Sequence, residues 1–284
     1  MGRILAGVAG AAIIPLSLIL IAKRYSSSER GRKVGAFFSF TFASSLLGLF
    51  LSGVIFWRWI FLLPAIIAVF VCAGIYFYFP DLKTEKHKLK FNYRQTLFDK
   101  QVFRLFVYIF LISFFYHGVR QWLGVYFSLH CGLEQFLISM LLTTISLSGI
   151  LGESLGGIFA DKLGRRKIIN IGVGIMLIAL IALLFKNVLI MLFIAMFIWG
   201  LGWTFNHAGV STFLTDLPRK HLYESASLNS SVRFLSGGIG AALGGIIAQR
   251  SFNLVFIIFG LGFFLLIVFC RKLIQMKPAS IKGV

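Results

Sequence analysis

A short basic stretch between two apolar runs decides the fold class of this chain. It reads Gly157-Ile-Phe-Ala-Asp161-Lys162-Leu-Gly164-Arg165-Arg166. The apolar run before it begins near residue 136, and the run after it begins near residue 168. Gly157 permits close approach of a neighbouring helix, Asp161 offers a short acceptor at a helix end, and Gly164 permits a tight turn. The arginines hold such a loop on the cytoplasmic side of a membrane, where they pair with carboxylates or phosphates.

The composition is typical of an integral membrane protein. Of the 284 residues, 58% are hydrophobic and 13% are charged, and the mean hydropathy is +0.91. A soluble domain has too little interior to cover so much apolar surface. The net charge of +19 does not indicate a nucleic-acid partner, because the basic residues cluster in the breaks between apolar runs. The expected partner of the apolar surface is a lipid bilayer.

The sequence does not favour an enzyme. The chain contains no Gly-x-x-x-x-Gly-Lys loop, which argues against direct use of ATP, and no His-Glu-x-x-His motif. Cys72, Cys131 and Cys270 are far apart and have no metal-binding or redox spacing. We therefore expect no catalytic residues, no cofactor and no metal.

Nine apolar runs are long enough to cross a bilayer. They lie at about residues 4–22, 34–55, 59–79, 105–128, 136–160, 168–185, 188–213, 228–248 and 254–270. Alternate loops carry most of the 28 lysines and arginines, at residues 23–33, 83–100, 162–167, 219–220 and 271–282. The positive-inside rule places these loops, and the C-terminus, in the cytoplasm. The N-terminus is then expected outside.

The pattern Gly-x-x-x-Asp-Lys-x-Gly-Arg-Arg resembles the loop signature of the major facilitator superfamily of secondary transporters. A merely basic stop-transfer loop would need the arginines but not the aspartate and both glycines. The resemblance implies an all-helical membrane bundle whose two halves rock around a central site. It makes the loop a candidate gating motif, in which Asp161 is expected to reach Arg30 or Arg32. The motif residues are Gly157, Asp161, Lys162, Gly164, Arg165 and Arg166.

A second stretch, Arg3-Ile-Leu-Ala-Gly7-Val-Ala-Gly10, resembles a signature on the fourth helix of drug-proton antiporters. Ala6 stands where a polar residue is usual, and the glycine-proline signature of the next helix is absent. The chain as a whole then resembles helices four to twelve, and the first three helices are expected to be missing.

This alignment implies three parts. Residues 1–80 form an incomplete N-terminal bundle of three spans, residues 81–100 form a cytoplasmic linker, and residues 101–284 form a six-helix bundle with a short cytoplasmic tail. Within and just beyond the linker, residues 93–103 fit either a short amphipathic helix on the membrane surface or a solvated loop.

Glu153 is the sharpest functional candidate inside a span. It shares a helix face with Gly149 and Gly157, so we expect it to face protein and not lipid. Two interpretations stay open: a reversible proton carrier, or a structural ion-pair partner of Arg233. Arg3 is a third candidate for coupling, because it resembles the antiporter-type arginine.

Two polar aromatic sets are candidates for a substrate cavity. The first consists of Tyr116, His117, Arg120 and Trp122. It suits an anionic or aromatic substrate near mid-membrane, or it places Arg120 and Trp122 at the outer interface. The second consists of Trp203, Asn206 and His207. A histidine here lines a cavity or is a hydrogen-bonded packing residue.

The first functional hypothesis is a multi-pass transporter of the cell membrane that exports a small organic molecule against protons. The alternative within transport is proton-coupled or facilitated uptake of a metabolite. A non-transporting membrane fragment is the alternative outside it.

The loop charges predict the topology directly. A reporter fused within residues 81–100 is expected in the cytoplasm, and one fused within residues 129–135 is expected outside. The activity of reporters that work on only one side of the membrane measures both. The opposite pattern at both sites would overturn the span assignment.

Overall fold

The computed structural model describes residues 10–54, 57–78, 92–183, 185 and 188–275. Every regular element in these ranges is a helix, so the all-α prediction is confirmed. The helices are α1 Ile13–Arg24, α2 Arg30–Val54, α3 Trp57–Tyr78, α4 Tyr93–Phe98, α5 Lys100–Arg120, α6 Leu123–Leu129, α7 Gln135–Leu163, α8 Arg165–Ala182, α9 Leu189–Thr215, α10 Arg219–Ala248 and α11 Phe252–Leu273.

Six segments of the described chain are long and apolar enough to cross a membrane. They are Phe61–Tyr78, Lys100–Leu129, Gln135–Leu163, Leu189–Thr215, Lys220–Ala248 and Phe252–Leu273. The other three predicted spans overlap helices α1, α2 and α8, which are not among these six segments. The span predicted at 105–128 consists of two helices, α5 and α6, separated at residues 121–122. Helix α10 begins before the predicted start, directly after Pro218. Proline is favoured at a helix start because it lacks the N–H group that would have no partner there.

Helices α7, α8 and α9 pack on one another, α5 packs on α10 and α11, and α11 also packs on α8. Their shared core contains fully buried aromatic side chains, which are Tyr108, Phe127, Trp199, Phe259 and Phe263. Helix α2 packs on α7, and α1 packs on α10. Helix α3 lies against α2 and exposes nearly all of its apolar side chains, a surface suited to lipid.

Two short breaks set the helix ends at the basic loops. Asp99 is extended, and its carboxylate accepts the N–H groups of Gln101 and Val102, which caps α5. Of the two interpretations of residues 93–103, the structure has a short helix over Tyr93–Phe98, and residues 100–103 belong to α5. Gly164 has a φ of +93°, a conformation that side chains with a Cβ disfavour, and this turn separates α7 from α8.

The backbones of α2 and α7 are in direct contact. A Cβ placed on Gly157 would overlap the carbonyl of Gly31, and one placed on Gly35 would overlap the carbonyl of Glu153. Residues without side chains at a crossing allow this approach. The crossing therefore fixes the position of Glu153 relative to α2.

The crossing predicts a difference between two glycines. Gly157→Ala requires the backbones to separate, so we expect a loss of about 1–3 kcal/mol in the free energy of unfolding. Gly174→Ala on α8 meets nothing within 4 Å and is expected to be neutral or slightly stabilising, since alanine favours a helix. Thermal unfolding of the purified variants in detergent measures both. Equal midpoints would contradict the packing argument.

Candidate functional site

Asp161 of the loop motif binds the first turn of α2. Its Oδ1 accepts the N–H of Gly31 at 2.9 Å, and its Oδ2 accepts the N–H of Arg32 at 2.7 Å. These N–H groups have no partner within their own helix, and the helix dipole makes them partly positive. Arg165 Nη1 donates to the same carboxylate at 2.8 Å. Asp161 thus reaches Arg32 as expected, but through the backbone N–H. Among the described residues its ion pair is with Arg165, whereas the side chains of Arg30 and Arg32 pair with Asp216 and Glu29.

Asp216, at the end of α9, is a central member of this group of contacts that sequence reasoning missed. Its Oδ2 accepts Arg165 Nε at 2.9 Å, and its Oδ1 accepts Arg30 Nη1 at 3.1 Å and Ser27 Oγ at 2.9 Å. A chain with 9 acidic and 28 basic residues offers few carboxylates to its basic loops. Because carboxylates are scarce, an aspartate at the end of a span and next to a basic loop could have been selected from the sequence as a partner for those basic residues.

Arg30, Asp161, Arg165 and Asp216 together form what we call the basic-end network. Arg30 also donates to the carbonyls of Ala22 and Thr215, at 2.7 and 2.9 Å. Arg165 is almost fully buried and also donates to the carbonyls of Ala160 and Ser27. The network thereby ties α1 and α2 to α7, α8 and α9. The other two motif cations, Lys162 and Arg166, are exposed.

Glu153 lies fully buried and binds His207. Its Oε1 is 2.7 Å from His207 Nδ1, which connects α7 to α9. No ion pair joins Glu153 to Arg233 among the described residues, so the expected structural pair with Arg233 is wrong. A carboxyl beside an imidazole at this distance shares a proton with it, and the pair is a single titrating unit.

The aromatic candidates from α5 and α9 meet beside this pair. The ring of Tyr116 stacks on Trp203 with centroids 3.7 Å apart, and the ring of His117 lies 5.7 Å from the same indole. Trp203 in turn lies 6.0 Å from His207, whose other neighbour is Phe38 of α2 at 4.4 Å. Two candidate sets that are distant in sequence are therefore adjacent.

Arg233 completes the group. Its guanidinium lies 5.8 Å from the centre of the Trp203 ring, within the range of a cation–π contact. Its Nε donates to Asn229 Oδ1 at 2.9 Å. We call this set the buried polar cluster; its members are Tyr116, His117, Glu153, Trp203, His207 and Arg233.

The remaining candidates lie apart from the cluster's hydrogen bonds. Asn206 is buried and donates to the Tyr108 hydroxyl and the Ile169 carbonyl, so it ties helices together. Trp122 Nε1 donates to the Ala241 carbonyl at 2.8 Å, which anchors the end of α5 to α10. Arg120 is partly exposed near that end. Arg3 lies outside the described residues.

Gly152-Glu153-Ser154-Leu155-Gly156 has the Gly-x-Ser-x-Gly spacing found around some hydrolase nucleophiles, which sequence reasoning overlooked. Such a nucleophile needs a sharp turn between a strand and a helix. Ser154 instead lies inside α7, and its hydroxyl is 2.8 Å from that of Ser39 on α2. The glycines of this run serve helix packing.

The basic-end network predicts that Asp216 contributes more to stability than an exposed acid. Asp216→Asn weakens two charge-assisted contacts, and we expect a loss of about 2–3 kcal/mol in the free energy of unfolding. Glu29→Gln is the control, because Glu29 faces Arg32 at 3.8 Å with both side chains about half exposed. It is expected to change stability by less than about 0.5 kcal/mol. Thermal unfolding in detergent compares the two, and equal losses would contradict the network's role.

Two sequence comparisons agree on the family. The model of the Major Facilitator Superfamily matches residues 1–237 and, in a second match, residues 132–283. A protein named as the uncharacterized MFS-type transporter YwfA of Bacillus subtilis strain 168 is 27% identical over 261 residues, which cover 86% of this chain and 62% of the relative. The chain thus spans less than two thirds of the length of that relative. Together with the apolar helices, these matches make the chain a multi-pass membrane protein that belongs to the Major Facilitator Superfamily.

Proposed function

We propose that this protein moves a small organic solute across the cell membrane by alternating access and couples that movement to protons. The observation that carries the proposal is the Glu153–His207 pair, which is buried beside an aromatic cluster in the bundle. Ionisable groups inside membrane helices are rare, and they mark substrate and ion pathways. Membership of the Major Facilitator Superfamily, with a relative named as an uncharacterized MFS-type transporter, supports a transport activity.

The pair suits reversible proton binding. When the Glu153–His207 pair holds one proton, its net charge is zero, whichever partner holds that proton. The pair then needs no further counter-ion in a low-dielectric interior. Glu153 Oε2 is buried and has no hydrogen-bond partner among the described residues. That atom is free to accept a proton or to bind water during exchange.

The depth of the buried polar cluster fits a central site. Glu153 lies about 15 Å along α7 from its end at Leu163, and Arg233 lies about 21 Å along α10 from its start at Arg219. Both ends belong to the basic side of the bundle. The cluster therefore sits near the middle of a bilayer whose hydrocarbon core is about 30 Å thick.

The basic-end network serves as the cytoplasmic gate in this proposal. It holds the start of α2 against the ends of α7 and α9, which keeps that side of the bundle closed. Alternating access requires these contacts to break and reform.

The direction of transport depends on how solute and proton influence each other at the cluster. Export against protons requires them to compete, and uptake with protons requires them to bind together. The positive charge of Arg233 favours uptake with protons, because a proton on the Glu153–His207 pair leaves that charge available to an anionic solute. The C-terminus is cytoplasmic in both cases.

Glu153→Gln tests the coupling. The amide keeps a hydrogen bond to His207 but binds no proton, and it stands in for the protonated, neutral carboxyl of Glu153. We therefore expect nearly unchanged yield of folded protein, retained exchange of solute, and loss of transport driven by a pH gradient.

Proteoliposomes that contain the pH indicator pyranine measure this, as proton flux on addition of solutes from a panel of organic acids, amines and neutral compounds. Glu134→Gln, at the exposed start of α7, is the matched control and is expected to behave as wild type. Undiminished solute-driven proton flux in Glu153→Gln would eliminate Glu153 as the proton carrier.

A further inference from the structure

The guanidinium of Arg233 has hydrogen-bonding capacity that the described residues do not use. Its Nε is satisfied by Asn229, but both terminal nitrogens are buried and have no hydrogen-bond partner among those residues. A buried cation without a partner is strongly unfavourable. Arg233 sits in the middle of α10, about 21 Å along the helix from its start. Its position therefore favours a partner other than those that the described residues supply.

Glu153 is the carboxylate that would be expected to supply this partner, and it does not. No ion pair within 4.0 Å joins Glu153 to Arg233 among the described residues. Glu153 instead binds His207, and its second oxygen is also buried without a partner. An unsatisfied acceptor and two unsatisfied donors thus lie in one buried region.

We propose that the terminal nitrogens of Arg233 bind the carboxylate of a small organic monoanion, and that a proton on the Glu153–His207 pair strengthens this binding. The planar guanidinium matches a carboxylate in a two-point hydrogen bond. The proposal rests on the proposed function and specifies its substrate class.

The sign of the coupling follows from the charges. When the pair holds no proton, its negative charge offsets that of Arg233, and the region is neutral overall. When the pair holds one proton, Arg233 keeps an uncompensated positive charge, and an anion restores neutrality. Anion and proton therefore bind together, and linkage makes the effect reciprocal. A dianion would again leave a net charge in a low-dielectric region, so a monoanion is favoured.

The surroundings of the pair leave Arg233 as the dominant influence. Helix α2 presents Phe38 to His207 and Ser39 to α7, and neither titrates near neutral pH. Helix α8 meets α9 through Gly172, and α5 supplies Tyr116 and His117. Of these, His117 is the other histidine, and its ring contacts Tyr116 and Trp203 and not the pair.

Binding to the purified full chain in detergent tests the proposal, with benzoate as the probe. Benzamide and benzylamine have the same ring with a neutral and a cationic group. Isothermal titration calorimetry is run near neutral pH in buffers of different ionisation enthalpy, which gives both affinity and protons taken up. We expect benzoate to bind at least about tenfold more tightly than either analogue, with net proton uptake. Equal binding of benzamide, absence of benzoate binding, or proton release would overturn the proposal.

Variants assign the two roles. Arg233→Gln is expected to weaken benzoate binding at least about tenfold, whereas Arg250→Gln, in the exposed turn after α10, is expected to leave it unchanged. If Arg233→Gln does not fold, Arg233→Lys keeps the charge but loses the two-point geometry, and it is expected to bind more weakly while still preferring benzoate to benzamide. Unchanged affinity in a folded Arg233 variant would exclude the site.

The proton is assigned in the same way. Glu153→Gln is expected to bind benzoate with no proton uptake and with an affinity that no longer falls as pH rises. His130→Gln, at the exposed end of α6, is expected to keep the uptake. Uptake that persists in Glu153→Gln, or that disappears in His130→Gln as well, would overturn the coupling.

Failure of this inference is distinguishable from failure of the proposed function. Benzoate binding that needs Arg233, without solute-driven proton flux in proteoliposomes, would leave the anion site standing and remove transport. Solute-driven proton flux that Arg233→Gln does not change would leave transport standing and remove the anion site.

Discussion

The direct backbone contact between α2 and α7 is the constraint on which the rest of the arrangement depends. Glycines at the crossing bring the two helices together, and the same approach places Asp161 at the first N–H groups of α2. It also buries Glu153 deeper along α7. Buried there, Glu153 requires a partner in the interior, which His207 provides. The Asp161 contacts of the basic-end network and the Glu153–His207 pair therefore both depend on the close packing of α2 against α7.

Much of the fold could be predicted from residue patterns, because long apolar runs and basic loops reflect local constraints that a bilayer imposes. Gly157 and Gly164 were identified for the roles they have, close approach and a turn with positive φ. The break between α5 and α6 was not predicted, although Gly118, Arg120 and Gln121 interrupt the apolar run there, because the run was long enough to be one span. The early start of α10 escaped for a similar reason: a run of polar residues after Pro218 reads as loop until tertiary contacts bury it.

The site was predicted as a set of residue types but not as a set of partners. Glu153, His207 and Arg233 were all selected, yet the hydrogen bond of Glu153 goes to histidine and not to arginine. Partner choice depends on how each helix is rotated about its axis, which the sequence constrains only through its apolar face. Asp216 was missed because it appears in the sequence as an isolated acid at the end of a span. Only the folded chain brings two arginines to it.

The contact between Asp161 and α2 is made with main-chain N–H groups, and this has a consequence for how the interface is diagnosed. Replacing the side chain of Arg32 does not remove its backbone donor, so a scan of charges along α2 would miss this contact of Asp161. What the carboxylate recognises is the place where a helix begins. Moving that start by one residue changes the contact although every charged group is kept.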